Sequence, residues 1–192
     1  MASKTDIFNI ALTMLGAQTI NDAGENSRNA RVLSGVYETV RRSELRKSPS
    51  WNFAVKTAKL PVDSTPPLFG KNYAYTLPGD FISLAPLYDE YGNYAARDWV
   101  IEKGKIFSNE VAPLELRYNA DIKAEGEFDD LFAMALAAKL AEVCCESITQ
   151  SNTKKQLMGQ QYQDAIREAR KADSFDSVSE FMPKDTYETV RL

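Results

Sequence analysis

The stretch 131–149 constrains this chain more than any other. Read as a helix, it is apolar on almost every face, with Lys139, Glu142 and Glu146 as its strongly polar positions. These three are spaced three and four apart, so they form one narrow stripe. Such a helix must be covered on most sides, either at the centre of a domain or between subunits. Its many alanines favour close helix approach. The longest uninterrupted apolar run, 131–138, is far too short to cross a bilayer.

Three other helices are expected around it. The first starts at Ser3 or Thr5, with Ser3 and Asp6 placed as a capping box. Ile7, Phe8, Ala11, Met14 and Leu15 form its apolar face, and Gly16 is placed to end it in a left-handed cap. Lys4 ahead of this run gives it a faint likeness to a signal peptide, but Asp6, Asn9 and Thr13 interrupt it, and an amphipathic helix fits better. The second helix starts at Asn26 or Ser27, buries Leu33, Val36, Tyr37 and Val40, and ends on Arg41, Arg42, Arg46 and Lys47 before Pro49. The third is expected over 127–149, with Glu127, Asp129 and Asp130 in its first turn. The fourth, capped by Asn152 or Thr153, runs to about residue 171, with Met158, Tyr162, Ala165, Ile166 and Ala169 inward.

Between residues 51 and 118 the texture changes to period two with turn punctuation. Trp51, Phe53 and Val55 alternate with polar or small residues, as do Tyr73, Tyr75 and Leu77. Residues 61–70 read as a loop, and 81–84 as a short strand. Residues 98–108 read as a hairpin turning at Lys103-Gly104, and Leu114, Leu116 and Tyr118 make a last strand. The fold class is therefore α+β: a helical bundle from 1–50 and 120–172, a small antiparallel β subdomain inserted at 51–119, and an extended tail over 173–192. The tail lacks periodicity yet carries Phe175, Phe181, Met182 and Tyr187. That is more large apolar surface than a solvated terminus keeps, and it marks the tail as an anchor for a partner.

Composition narrows the chemistry. With 44% hydrophobic and 26% charged residues the chain is an ordinary globular one, and its net charge of −4 argues against a general nucleic-acid binder. There is no histidine, which removes the usual general base and metal ligand. Cys144 and Cys145 are adjacent in a helical pattern and read as small apolar residues of a reduced, cytosolic protein. The glycines are isolated and make no phosphate loop. Neither cofactor nor metal is expected. Two candidate chemistries remain. Glu125, Glu127, Asp129 and Asp130 could serve a carboxylate-based hydrolase, although neighbouring residues on a helix diverge and a helix start explains them. Arg41, Arg42, Arg46 and Lys47, near Trp51 and Phe53, could form a nucleic-acid patch or a protein interface, against the reading of a solvated helix end.

Three stretches together carry a family resemblance. They are Asn9-Ile10-Ala11-Leu12 with Leu15-Gly16, Ala30 and the Tyr37 helix through Arg41-Arg42-Ser43-Glu44-Leu45; then Ser48-Pro49-Ser50-Trp51-Asn52-Phe53-Ala54, Lys59-Leu60 and Tyr73-Ala74-Tyr75-Thr76-Leu77-Pro78-Gly79-Asp80; then Leu131-Phe132 through Ala135-Leu136-Ala137-Ala138-Lys139-Leu140-Ala141. In this order, over about residues 5–172, they resemble the tail tubular protein A family of short-tailed bacteriophages, the head-to-tail adaptors or gatekeepers. One departure is Glu125-Gly126-Glu127, where the family pattern would have a proline before the third helix. The resemblance implies a virion structural protein without enzymatic activity or membrane contact. It further implies a dodecameric ring of this chain between the portal protein and the tail nozzle protein. Genomic DNA would pass through its lumen without specific binding, along a wall expected to be acidic.

Overall fold

A computed structural model describes residues 2–48, 51–86 and 97–178. Local signals set most helix ends. Helix α1 (Lys4–Met14) starts on a closed capping box: the Ser3 hydroxyl accepts from the Asp6 amide, and the Asp6 carboxylate accepts from the Ser3 amide at 2.9 Å. It ends in a Schellman turn, with Gly16 at φ 60° donating to the Thr13 carbonyl and Ala17 donating to Leu12. The Asn9 side chain then clasps the Ile20 peptide on both its N–H and C=O, folding the following loop back onto α1. Ser27 caps α2 (Arg28–Lys47).

Helix α3 (Asp130–Thr149) packs against α4 (Asn152–Val178), α1 and α2. It is thus the central helix of the domain, enclosed by Phe8 and Leu12 of α1, Leu33 and Tyr37 of α2, and Met158 and Ile166 of α4, all buried. The narrow polar stripe lies along its border with α4. Lys139 pairs with Glu142 at 2.7 Å and stands 4.7 Å from the centre of the Tyr162 ring, and Glu146 pairs with Lys155.

The inserted β subdomain comprises two three-stranded antiparallel sheets rather than one. The first has the order β1 (Val55–Leu60), β6 (Leu114–Ala120), β3 (Phe81–Leu84), and β6 leads straight back to the bundle. The second has the order β2 (Tyr73–Thr76), β5 (Lys105–Ser108), β4 (Val100–Glu102). Strands β4 and β5 form the expected hairpin, with Lys103 at φ 47° and Gly104 at φ 76°, the left-handed pair a two-residue turn requires.

Four expectations need correction. Trp51 and Phe53 do not begin a strand. Residues Asn52–Ala54 form a 3-10 turn, in which positions three apart share a face, so Trp51 and Ala54 are both buried. Helix α3 starts at Asp130, after a separate 3-10 turn at Glu125–Glu127, because Asp129 caps it by accepting from the Leu131 and Phe132 amides. Helix α4 is capped one residue early, by the Ser151 hydroxyl accepting from the Lys154 amide. The extended tail does not begin at residue 173, because α4 continues to Val178. Asp173 is held there by Asn52, whose amide donates to its carboxylate at 2.8 Å. Phe175 is therefore an exposed helical residue, while Phe181, Met182 and Tyr187 lie outside the described residues.

Candidate interaction surfaces

The basic end of α2 is split by its own helical geometry. Arg41 points inward and is only 1% exposed. It ion-pairs with Asp121 at 2.7 Å and Glu38 at 2.8 Å, and it donates to the Ile122 carbonyl. These bonds fasten α2 to the segment that leads from β6 into the bundle. Burial opposes the Arg41 charge, but the hydrogen bonds to Glu38 and Asp121 outweigh that and hold its pKa above the ordinary value. Arg42 is exposed and shares Asp121 at 3.1 Å, and Arg46 donates to the Ile82 carbonyl of β3. Lys47 turns the other way, toward α4, where it meets Glu44 at 2.7 Å and the Tyr162 hydroxyl at 3.1 Å. The buried Glu44 also accepts from Tyr162 at 2.7 Å. Burial, then the bond to Glu44, pushes the Tyr162 phenol well above its usual range. The four cations thus make two structural clamps, and only Arg42 and Arg46 share a surface.

Nor do the aromatics near that patch face solvent as a stacking platform. Trp51 is buried edge-on against Phe132 at 5.0 Å, and Phe53 packs on Phe128 and Phe132. Two of the four candidate carboxylates are engaged: Glu125 accepts from the Tyr37 hydroxyl at 3.1 Å, and Asp129 caps α3, while Glu127 and Asp130 are exposed. Among the described residues no group of three or more acidic or thiol side chains is arranged to hold a metal ion. Cys144 and Cys145 are free and buried, and burial raises the Cys144 thiol to about 11. No helix of the described residues is long and apolar enough to cross a membrane.

Exposed apolar surface is concentrated on the second sheet. Leu68 is 98% exposed and Phe69 89%, in a loop stiffened by Pro66 and Pro67. This loop stands over one face of the sheet and encloses with it a cleft of about 600 Å³ lined by Val100, Lys105 and Phe107. The loop is rooted by Asp63, which accepts from Thr76 and pairs with Lys105 at 2.7 Å. On the opposite side of the hairpin lies an open groove of about 480 Å³. Arg42 and Arg46 flank it, and Leu77, Phe81, Ile101 and Gly104 line it. Leu68 and Phe69 belong to a segment that period-two reading registers only as a loop. The available signal was two large apolar residues between a proline pair and Gly70, with nothing local to bury them.

No protein-family model matches this chain, and no curated protein sequence aligns with it significantly.

Proposed function

We propose that this protein is a head-to-tail adaptor of a short-tailed bacteriophage virion. In this reading it is a structural subunit without catalytic activity, assembled in the host cytoplasm. Copies form a ring, dodecameric by analogy with the family, between the portal protein and the tail nozzle protein. The genome passes through the lumen without specific binding.

The observation that carries this reading is the ordered set of motifs, and where its residues sit in the fold. Asn9 clasps the loop after α1. The Trp51 indole donates to the Glu44 carbonyl. Asp80 of the Leu77-Pro78-Gly79-Asp80 turn accepts from Lys56 and from the Tyr118 hydroxyl, and its carbonyl accepts from the Asp121 amide. Trp51 and Asp80 thus lie where the bundle meets the first sheet, and function follows from the motif resemblance by analogy. Two further features support it: Glu125 and Asp129 occupied by structural bonds, and large apolar side chains left in solvent.

The test is electron microscopy of the protein mixed with the portal of the same virion. Class averages should show a ring of adaptor seated on the portal, and intact portal without added density would overturn the reading. Purified protein alone is expected to be largely monomeric, since a heterologous contact able to propagate must await its template. Light scattering that finds stable rings at micromolar concentration would contradict this. Truncation after Val178 tests the tail. The shortened chain should keep its helical circular dichroism and lose most portal affinity, whereas undiminished binding would show that Phe181, Met182 and Tyr187 are not the anchor.

A further inference from the structure

The second sheet presents an apolar projection on one face and an apolar groove on the other. Cross-strand register pairs Val100 with Phe107 and Ile101 with Ile106. Side chains alternate between faces along a strand, so Val100 and Phe107 share one face while Ile101 and Ile106 share the other. Phe107 and Val100 form the floor beneath the Leu68–Phe69 loop. Ile101 instead lines the groove beside Arg42 and Arg46. Projection and groove therefore point in opposite directions through the same hairpin. A chain cannot fill its own groove with its own loop without crossing that hairpin, but a neighbouring copy can.

We infer that Leu68 and Phe69 of one copy seat in the Arg42–Arg46 groove of the next, in a front-to-back contact. The chemistry matches on both sides. Leu77, Phe81 and Ile101 offer an apolar floor, and the exposed Arg42 guanidinium can lie over the Phe69 ring as a cation–π partner. Pro66 and Pro67 limit the freedom the loop would lose on seating. Unlike surfaces meeting in this way are heterologous, and repetition of such a contact closes a ring or grows a filament. The two side chains bring together roughly 300 Å², well below the ~800 Å² per partner of a stable interface. The contact is accordingly too small to hold a pair alone and acts where copies are gathered side by side. This rests on the ring-forming reading above and assigns its subunit contact.

Cysteine capture on the full-length chain tests it. Ser43 is an exposed residue lining the groove. The variant carrying both Phe69→Cys and Ser43→Cys, oxidised mildly at high protein concentration, should give a disulfide ladder of trimers and larger species. Either substitution alone should give no species beyond dimers, and Cys144 and Cys145 are buried out of reach. A pair of Phe69→Cys with Glu168→Cys, an exposed position on α4, controls for random collision and should give no comparable ladder. Adding Arg42→Glu to the first pair should remove the trimers. The inference is overturned if the first pair gives no ladder either at high concentration or on the portal, or if the control pair ladders equally. Repeating the oxidation on the portal separates the two proposals. A portal-bound protein without the ladder sinks the contact and leaves the adaptor reading, while a ladder without portal binding does the reverse.

Discussion

In the helical bundle, Phe132, Leu136 and Leu140 of α3 are sealed by α1, α2 and α4, whereas on the second sheet Leu68, Phe69 and Val100 face solvent. Burying a side chain of this size is worth roughly 1.5–3 kcal/mol. The bundle takes that stabilisation from within the chain, and the second sheet leaves it to be gained on contact. Polar groups follow the same division. The clamps around Arg41 and Glu44 are buried and bonded on several sides, while the ion pairs of the second sheet lie nearer its rim. Buried contacts are therefore concentrated where the two parts join and in the bundle, and exposed apolar surface at the far sheet.

The largest expected effect lies at the join. Arg41→Ala leaves the buried Asp121 with only the exposed Arg42 to pair with and the Ile122 carbonyl without its donor, and breaking a buried pair in this way costs about 3–5 kcal/mol. Urea unfolding should show that loss, and Asp121→Ala should add little to it in the double variant because the two act as a unit. Additive losses would show that the clamp is not one. Next comes Leu136→Ala in the centre of α3, expected to cost about 2–5 kcal/mol through lost burial and an unfilled cavity. A loss below ~1 kcal/mol would place Leu136 at a site able to collapse, and α3 would not be the tightly enclosed element described.

How far these features were legible depends on how local their causes are. The Ser3 box, the Gly16 cap, the Lys103-Gly104 turn and the alanine-rich α3 are written in a few adjacent residues, and each is found in place. Arg41 was not legible as a buried group. Its partners Asp121 and Ile122 lie far along the chain, and a run of four cations at a helix end reads as one surface until the helix is turned toward its neighbours. Trp51 misled for a related reason, since the alternation of β1 extends backward on paper into what is a 3-10 turn. The last turns of α4 were missed because Asp173, Ser174 and Asp176 favour a helix poorly, while the Asn52 side-chain amide, donating to the Asp173 carbonyl, secures the backbone there. The exposed loop and the opposed groove needed the strand register before either could be seen as a surface.

A smaller effect tests the helix start at Asp129. Its carboxylate accepts from the Leu131 and Phe132 amides. Asp129→Ala should cost about 1 kcal/mol, while Asp129→Asn or Asp129→Ser should restore most of it. Thermal unfolding of the three variants checks the order. Failure of Asn and Ser to rescue would mean that the carboxylate does something other than cap.

The smallest expected effect is the one that decides the contrast. Leu68→Ser with Phe69→Ser alters the two most exposed large apolar side chains among the described residues, yet surface substitutions away from packing features stay within about 0.5 kcal/mol. Urea unfolding should therefore give an unchanged midpoint and an unchanged slope, since no surface buried in the monomer is lost. Removing exposed apolar area should also lower non-specific association of the free chain. The opposite result has a definite meaning. The cleft beneath the loop is large enough to receive a side chain, and a loop folded down onto Val100 and Phe107 would already hold its apolar groups in the monomer. In that case the double variant would lose more than ~1.5 kcal/mol, the value for one such side chain leaving a buried site. Such a loss would mean that the second sheet satisfies itself as the bundle does, and the front-to-back seat would have no projection to fill it.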